Sequence, residues 1–167
     1  MKQTQIDNFF DEEDFNKLKD LIISHHFEWY FCNHVATEAE EKELSSYFFT
    51  HVLYANHAPI SLHLNSIKPF FDKIEENEEI KSLLWVRANC YLNTSTLLEH
   101  SMHTDRDYSH TAALLSLNTC DGYTKLKDGT KVDSVANRVL FFDAGEDHCS
   151  TTTTNTKARY NITVNYL

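Results

Sequence analysis

Three side chains in the second half of the chain have the types and spacing of a metal site. His103 and Asp105 stand two positions apart, so an extended backbone would present both on one face. His148 follows the apolar run 139–142 and is the best candidate for a third ligand. Two histidines and one carboxylate on one side of a metal leave its other positions open, an arrangement typical of iron(II) sites that activate oxygen.

A cation that could serve this site stands at Arg159, eleven residues after His148. The planar guanidinium group donates two parallel hydrogen bonds and so suits a carboxylate. Asn161 shares the strand face of Arg159, and Asn89 and Tyr91 share the polar face of an earlier alternating segment. These four side chains are candidates to bind an anionic co-substrate next to the metal.

Other interpretations of the metal-site residues remain open. His103 and Asp105 can be an ordinary pair on a surface strand. His100 or His110 could join His103 in a zinc site, because H-x-x-H is a tolerable ligand spacing. On a strand, however, a residue three positions away faces the opposite side, so we expect His100 to border the site or to be exposed.

The candidate anion-binding residues also have simpler interpretations. Arg159 can form an ion pair with an acidic neighbour, and Lys157 on the same face is a second candidate cation. Tyr91 can be a core residue with a satisfied hydroxyl group, and the two asparagines can be equally structural. Arg87 can belong to a structural ion pair.

The elements that precede this region are predicted to be helical. Apolar residues at helical spacing behind an acidic first turn predict a helix over 11–24. A second helix is expected around 38–54. A third is expected to run from Asn65, a candidate N-cap, with Pro69 in its first turn.

The elements that carry the candidate site are predicted to be strands. Apolar and polar residues alternate over 84–92 and 158–166, and further strands are expected at 111–117, at 138–142 and on both sides of Asp128-Gly129. The polar hairpin 122–134 can be a flexible cover for a substrate or an ordinary exposed hairpin. Helices followed by strands predict an α+β fold, a sandwich or barrel of antiparallel strands backed by the N-terminal helices.

Length and composition restrict the class of protein. The 167 residues fit one domain, with a helical part at about 1–80 and a β-barrel at about 81–167. A formal net charge of -10 argues against nucleic acid as a partner. The four cysteines form no C-x-x-C pair, and no apolar run approaches the roughly 20 residues needed to cross a bilayer. We expect no contact with a membrane and a cytoplasmic location.

The ordered series of an H-x-D pair, a histidine after an apolar strand and a basic residue about ten positions later resembles a known superfamily. It is similar to the double-stranded β-helix (jelly-roll, cupin-like) oxygenases that use iron(II) and 2-oxoglutarate. Within that superfamily the chain resembles the prolyl-4-hydroxylase-like members, especially the compact kind encoded by bacteria and bacteriophages. The resemblance covers about 85–167, while the preceding helices match only in type.

This resemblance implies roles for individual residues. Iron(II) would be held by His103, Asp105 and His148, the 5-carboxylate of 2-oxoglutarate by Arg159, and another co-substrate oxygen by Tyr91. The implied reaction consumes O2 and 2-oxoglutarate, hydroxylates a C–H bond and releases succinate and carbon dioxide, with ascorbate as a supporting reductant. The implied substrate is a prolyl residue of a peptide or protein.

One departure from the family pattern leaves the substrate open. Prolyl hydroxylases usually carry lysine where this chain has Arg159, whereas arginine is common in other branches, including nucleic-acid dealkylases. A free amino acid, a small metabolite or a nucleic-acid base is therefore an alternative substrate. A non-enzymatic cupin-like metal-binding barrel is the alternative outside enzymes, although its H-x-H cluster with a following glutamate is absent from the sequence.

Overall fold

The computed structural model describes residues 3–167, without the side chain of residue 39. Within that range the chain forms two α-helices and eleven β-strands. The helices are α1 (Glu12–Ile22) and α2 (Lys68–Glu75). The strands are β1 (Thr4–Ile6), β2 (Tyr30–Cys32), β3 (Phe48–Ala55), β4 (Ala58–Pro59), β5 (Leu83–Leu92), β6 (Thr111–Ser116), β7 (Tyr123–Leu126), β8 (Lys131–Asp133), β9 (Arg138–Asp143), β10 (His148–Ser150) and β11 (Ala158–Tyr166).

The strands form two antiparallel sheets that lie on either side of a cavity. The larger sheet has the order β1-β9-β6-β11-β5-β3-β2, with β4 paired to β3, and the smaller sheet has the order β10-β7-β8. Side chains of β5 and β11 line one side of the cavity, and side chains of β7 and β10 line the other. This is the double-stranded β-helix, or jelly-roll, arrangement. The predicted α+β fold class, a β-barrel backed by helices, is confirmed.

The two faces of β5 and β11 explain why these strands alternate. Val86 and Ala88 of β5 and Ile162 and Val164 of β11 are fully buried in one hydrophobic cluster with both helices. Burial of an aliphatic side chain contributes roughly 1.5 to 3 kcal/mol, so this outer face holds the helices on the sheet. The other face of both strands is left for the polar side chains of the cavity.

Helix α1 forms where it is predicted. The Asp11 carboxylate accepts a hydrogen bond from the Asp14 N–H group and caps the first turn, and Phe15, Leu18 and Ile22 are buried. Helix α2 begins at Lys68, later than predicted. The expected N-cap Asn65 is wrong, because it lies inside a short 3-10 turn (Leu62–Ile67).

The helix predicted over 38–54 is wrong. The structure has a 3-10 turn at Glu38–Lys42, and then the strand β3, which pairs with β5. Leu44, whose side chain a helix would bury on its apolar face, is 97% exposed, while Leu53 is fully buried. The aromatic and β-branched composition of β3 favours a strand, and its pairing partner β5 stabilises it. The larger sheet therefore extends into the N-terminal part of the chain.

The structure also shows the state of the cysteines and the lengths of the helices. The four cysteines are free thiols. Over residues 3–167, every helix is too short and too polar to cross a bilayer.

Candidate metal and anion site

Cross-strand register places the polar side chains of β5 and β11 together. Opposite residues of an antiparallel pair project on the same face of the sheet. The opposite pairs on the cavity face are Tyr91 with Arg159, Asn89 with Asn161, Arg87 with Thr163 and Trp85 with Asn165. Two strands that are about 70 residues apart in sequence thus provide one polar wall.

The three predicted metal ligands come together at one end of this wall. His103 and His148 form a two-residue bridge between their chain segments, with both N–H to carbonyl distances at 2.9 Å. Asp105 Oδ1 lies 3.8 Å from His103 Nε2 and 3.9 Å from His148 Nε2. The ligand atoms of the three residues all lie within 4.8 Å of one another. One metal ion could contact all three.

Hydrogen bonds orient the ligand atoms toward a common point. His148 Nδ1 lies 3.0 Å from the carbonyl oxygen of Glu146, so its Nε2 is the nitrogen left for a metal. His103 Nδ1 lies 3.4 Å from the carbonyl oxygen of Ser101 in the same manner. Asn165 Nδ2 donates to Asp105 Oδ2 at 2.7 Å, which leaves Oδ1 on the side of the histidines.

Electrostatics favour the protonation states that a metal needs. Burial lowers the pKa of His103, so its ring is neutral at pH 7. Burial opposes ionisation of Asp105, but the nearby charge on Arg87 and the hydrogen bond from Asn165 hold the pKa of this carboxyl below its ordinary value. A neutral imidazole and an ionised carboxylate are the ligand forms of these groups.

The zinc alternative is not supported by the geometry. Among residues 3–167, His103, Asp105 and His148 are the one group of histidine, cysteine and acidic side chains close enough to share a metal. His100 lies against the Tyr91 ring instead, at a centroid distance of 5.6 Å, and His110 Nδ1 lies 2.9 Å from the carbonyl oxygen of Tyr108. Two nitrogen donors and one carboxylate oxygen fit the oxygen-activating iron site better than a closed structural zinc site.

Arg159 is a buried cation without a carboxylate partner. Its side chain is 1% exposed, donates to Thr124 Oγ1 at 2.8 Å and to the carbonyl oxygen of Thr151 at 3.4 Å, and leaves Nε without a partner. Within the described part of the chain it forms no ion pair, so the predicted alternative of a structural ion pair is wrong. Burial lowers the pKa of this group, because removal from water disfavours its charge.

The other candidate residues around Arg159 differ in what they do. Tyr91 is 5% exposed, stacks on Phe48 at 5.4 Å and lies with its ring 5.6 Å from the Arg159 guanidinium carbon. Asn89 Nδ2 donates to Asn161 Oδ1 at 2.8 Å, so the two amides hold each other across the strands. All three line the cavity. The alternative cation Lys157 is exposed and lies before β11 begins.

The sequence did not reveal several residues that complete the site. Thr124 and Thr151 accept the hydrogen bonds of Arg159, and Phe142 packs against the His148 ring at 4.9 Å. Thr124 lies in the polar hairpin 122–134, for which the sequence offered two interpretations, a flexible cover and an exposed hairpin. The hairpin is neither a separate cover nor a simple exposed loop, because β7 pairs with β10 and supplies Thr124 to the wall opposite Arg159.

The enclosed space is narrow. Its free interior is about 30 Å³, which is room for about two water molecules. A dicarboxylic acid can enter only if side chains of the lining move. Arg159 is not itself one of the described residues that line this space, but it donates to the lining residue Thr124 and lies against the lining residue Tyr91. The metal group lies at the other end of the same polar wall.

Close packing at Gly122 maintains the position of Arg159. A Cβ atom at Gly122 would lie 2.6 Å from the Thr152 carbonyl oxygen and 2.8 Å from Arg159 Cδ, closer than real contacts allow. We predict that Gly122→Ala displaces Arg159, lowers the free energy of unfolding by about 1 to 3 kcal/mol and weakens binding of 2-oxoglutarate. Urea unfolding and calorimetric titration measure the two effects. Gly129→Ala is the control for affinity alone: its Cβ meets nothing within 4 Å, although its φ of +87° means that alanine lowers stability there too. A loss of affinity as large as that of Gly122→Ala would contradict the explanation.

His100 should make the protein sensitive to acid. Burial lowers its pKa to about 4 from the ordinary value of 6.5, so the unfolded chain takes up this proton before the folded chain does. The free energy of unfolding should therefore fall between pH 6.5 and pH 4, by up to about 3 kcal/mol from this residue. We predict that His100→Gln flattens the pH dependence of urea unfolding in this range, whereas His26→Gln on the exposed surface does not. Parallel curves for wild type and His100→Gln would refute the prediction.

Comparisons with known proteins give a fold but no close relative. No protein-family model matches the sequence, and the curated proteins contain no match to it. Among solved structures, a prolyl hydroxylase from Trichoplax adhaerens, in complex with a peptide fragment of hypoxia inducible factor, is similar at a TM-score of 0.70 and 16% identity, over 99% of this chain and 83% of that one. A prolyl-4-hydroxylase from Pseudomonas putida is similar at a TM-score of 0.62 and 17% identity, over 98% and 91%.

A third similar structure performs different chemistry. The non-heme alpha ketoglutarate dependent epimerase SnoN, from nogalamycin biosynthesis, has a TM-score of 0.63 and 12% identity, over 99% of this chain and 77% of that one. At these identities the likeness establishes the fold. The chain has the double-stranded β-helix fold of the 2-oxoglutarate and iron(II) oxygenases, as the sequence resemblance predicted.

Proposed function

We propose that this protein is an iron(II)- and 2-oxoglutarate-dependent dioxygenase that hydroxylates a C–H bond. The observation that carries the proposal is the buried, unneutralised Arg159, which pairs with the cavity residue Tyr91 on the strand face that also runs past a group of two histidines and one carboxylate. A buried cation without an opposite charge is costly, and a functional anion explains why it is retained. Oxygenases with this fold bind iron and an anionic co-substrate, 2-oxoglutarate. The metal ligands and the buried cation of this chain are suited to the same two ligands.

The residues divide into two sets of roles. His103, Asp105 and His148 would hold iron(II), which when bound would supply oxidation of the substrate by O2, coupled to conversion of 2-oxoglutarate to succinate and carbon dioxide. Arg159 would bind the distal carboxylate of 2-oxoglutarate through charge-assisted hydrogen bonds, held in direction by Thr124. Tyr91 would close the space beside that carboxylate, and the Asn89–Asn161 pair would keep the floor of the cavity rigid.

A prolyl residue of a peptide or protein is the substrate that we propose. The support is the similarity to two prolyl hydroxylases, one of them in complex with a peptide. The similarity to SnoN supports keeping a small molecule as the second candidate. The formal charge of -10 continues to argue against a nucleic-acid substrate.

Product analysis tests the proposal. Purified protein with iron(II), 2-oxoglutarate, ascorbate and air should form succinate, and Asp105→Ala should not. In a panel of proline-containing peptides, the substrate should gain one oxygen atom by mass spectrometry. Succinate without peptide oxidation would retain the oxygenase and reject the peptide, and absence of succinate from folded, iron-loaded protein would reject the oxygenase.

A further inference from the structure

Arg87 is a positively charged residue that lines the cavity and has no role in the proposed function. It lies on the inner face of β5, opposite Thr163, and its side chain is 15% exposed. It lines the cavity together with the candidate metal ligands. Arg87 is thus placed at the metal end of the polar wall, whereas Arg159 lies at the other end.

The contacts of Arg87 do not satisfy its guanidinium group. Its NH2 nitrogen forms an ion pair with Asp105 Oδ1 at 3.5 Å, as one interpretation of the sequence expected, and this oxygen is the one on the metal side of the carboxylate. The guanidinium carbon lies 4.3 Å from the centre of the Trp85 ring. Within residues 3–167 the Arg87 side chain forms no hydrogen bond, although a guanidinium group has five N–H donors. Most of its donors are therefore available to a ligand.

When iron(II) and 2-oxoglutarate are both bound, no negative charge at the site is left over to balance Arg87. Iron(II) and Arg159 carry three positive charges, and Asp105 and 2-oxoglutarate carry three negative ones, so these groups neutralise one another. Asp105 is the one acidic residue among the described side chains that line the cavity, and it would then share its charge with the metal. Arg87 remains as one positive charge with little access to solvent, which favours a further anion or a direct contact with a carboxylate at the metal.

The distance along the wall separates this position from that of Arg159. Arg159 lies opposite Tyr91, and Arg87 lies four residues before Tyr91 on the same face of β5. Four residues of strand span about 13 Å, with the candidate metal group at the Arg87 end. One guanidinium group therefore lies at each end of the polar wall.

We propose that Arg87 binds a carboxylate group at the metal end of the cavity. The proposal rests on the proposed oxygenase function and extends it by a second anion-binding residue. Two sources can supply this carboxylate: the 1-carboxylate of 2-oxoglutarate, which lies beside its keto group, or an acidic group of the substrate. Both would accept charge-assisted hydrogen bonds from the free Arg87 donors.

Binding measurements without oxygen distinguish the two sources. The test variant is Arg87→Met, and the control is Arg106→Met, because Arg106 also lies over the Trp85 ring, at 5.7 Å, but is exposed and does not line the cavity. Each protein is loaded with manganese(II) in place of iron and titrated with 2-oxoglutarate by calorimetry. The loaded proteins are then titrated, at saturating 2-oxoglutarate, with the blocked peptides Glu-Pro-Glu and Gln-Pro-Gln.

If the co-substrate is the source, Arg87→Met should weaken 2-oxoglutarate binding by about tenfold or more, and Arg106→Met should change it less than about twofold. If the substrate is the source, 2-oxoglutarate binding should be unchanged and wild type should prefer Glu-Pro-Glu, a preference that Arg87→Met loses. Arg87→Lys, which keeps the charge, should restore part of either effect. Removal of the Arg87 cation beside Asp105 should not weaken manganese binding. Weaker 2-oxoglutarate binding by Arg87→Met would therefore not result from loss of the metal.

The proposal is overturned if folded, manganese-loaded Arg87→Met binds 2-oxoglutarate as wild type does and the wild type shows no preference for the acidic peptide that depends on Arg87. Failure of the wild type itself to bind 2-oxoglutarate is a different result. It would overturn the proposed function together with the role of Arg87.

Discussion

Asp105→Ala should abolish metal-dependent turnover of 2-oxoglutarate. Asp105 is the one carboxylate in the candidate metal group, and its side chain is 4% exposed with Oδ1 facing both histidines. Loss of a hydrogen-bond partner of a metal ligand typically reduces affinity or activity 10- to 100-fold, so loss of a ligand itself should exceed about 100-fold. Manganese(II) affinity, measured by calorimetry, and succinate formation should both fall.

The matched control for this prediction is Asp107→Ala. Asp107 lies two residues further along the same loop and is exposed, outside the candidate metal group. We expect both its manganese affinity and its succinate formation to remain within about twofold of wild type, since surface charges are well screened. Equal losses in the two variants would mean that general negative charge, not ligation by Asp105, supports turnover.

Arg159→Met should change stability and binding in opposite directions. Methionine keeps an unbranched apolar stem but removes a buried charge that has no carboxylate partner. The free energy of unfolding without ligand should rise by about 1 to 2 kcal/mol, even though Thr124 loses a hydrogen-bond partner. Affinity for 2-oxoglutarate should fall about 100-fold, or about 3 kcal/mol, because the carboxylate loses its charged donor. Urea unfolding and calorimetric titration measure the two quantities.

Arg138→Met is the appropriate comparison for this opposite response. Arg138 forms a two-point ion pair with Asp7 on the outside of the barrel, so its replacement should not raise stability and should leave 2-oxoglutarate affinity unchanged. If Arg159→Met were instead destabilised and bound 2-oxoglutarate normally, Arg159 would be a structural residue. The proposal would then lose the observation that carries it.

The sequence predicted those helices and strands that bury one apolar face and leave the other face polar. In the middle of β5 and β11 alternate residues, Val86 and Ala88 on one strand and Ile162 and Val164 on the other, lie in the hydrophobic cluster with the helices. The residue types there therefore repeat with a period of two. The sequence predicted a helix at β3 because acidic residues precede this strand and its apolar residues do not alternate strictly with polar ones. Its conformation depends on pairing with β5, a contact between segments distant in sequence that no local pattern reports.

The candidate site divides in a similar way. His103, Asp105, His148 and Arg159 could be proposed from sequence because the chemistry of each side chain is specific and their order along the chain is informative. Thr124 could not, since it reaches Arg159 only through the pairing of β7 with β10. The polar contacts among cavity residues are set by register between strands, which residue spacing along one strand does not determine.

The central claim is that one cavity binds iron(II) and 2-oxoglutarate together. The most direct measurement is an anaerobic titration of the iron(II)-loaded protein with 2-oxoglutarate, followed by the visible charge-transfer band of a 2-oxo acid chelated to iron. We predict a saturable band in the wild type, no band in Asp105→Ala, and a band in Arg159→Met that requires about 100-fold more co-substrate. A folded wild-type protein that binds another metal tightly but gives no band would contradict the claim and leave a metal-binding barrel in its place.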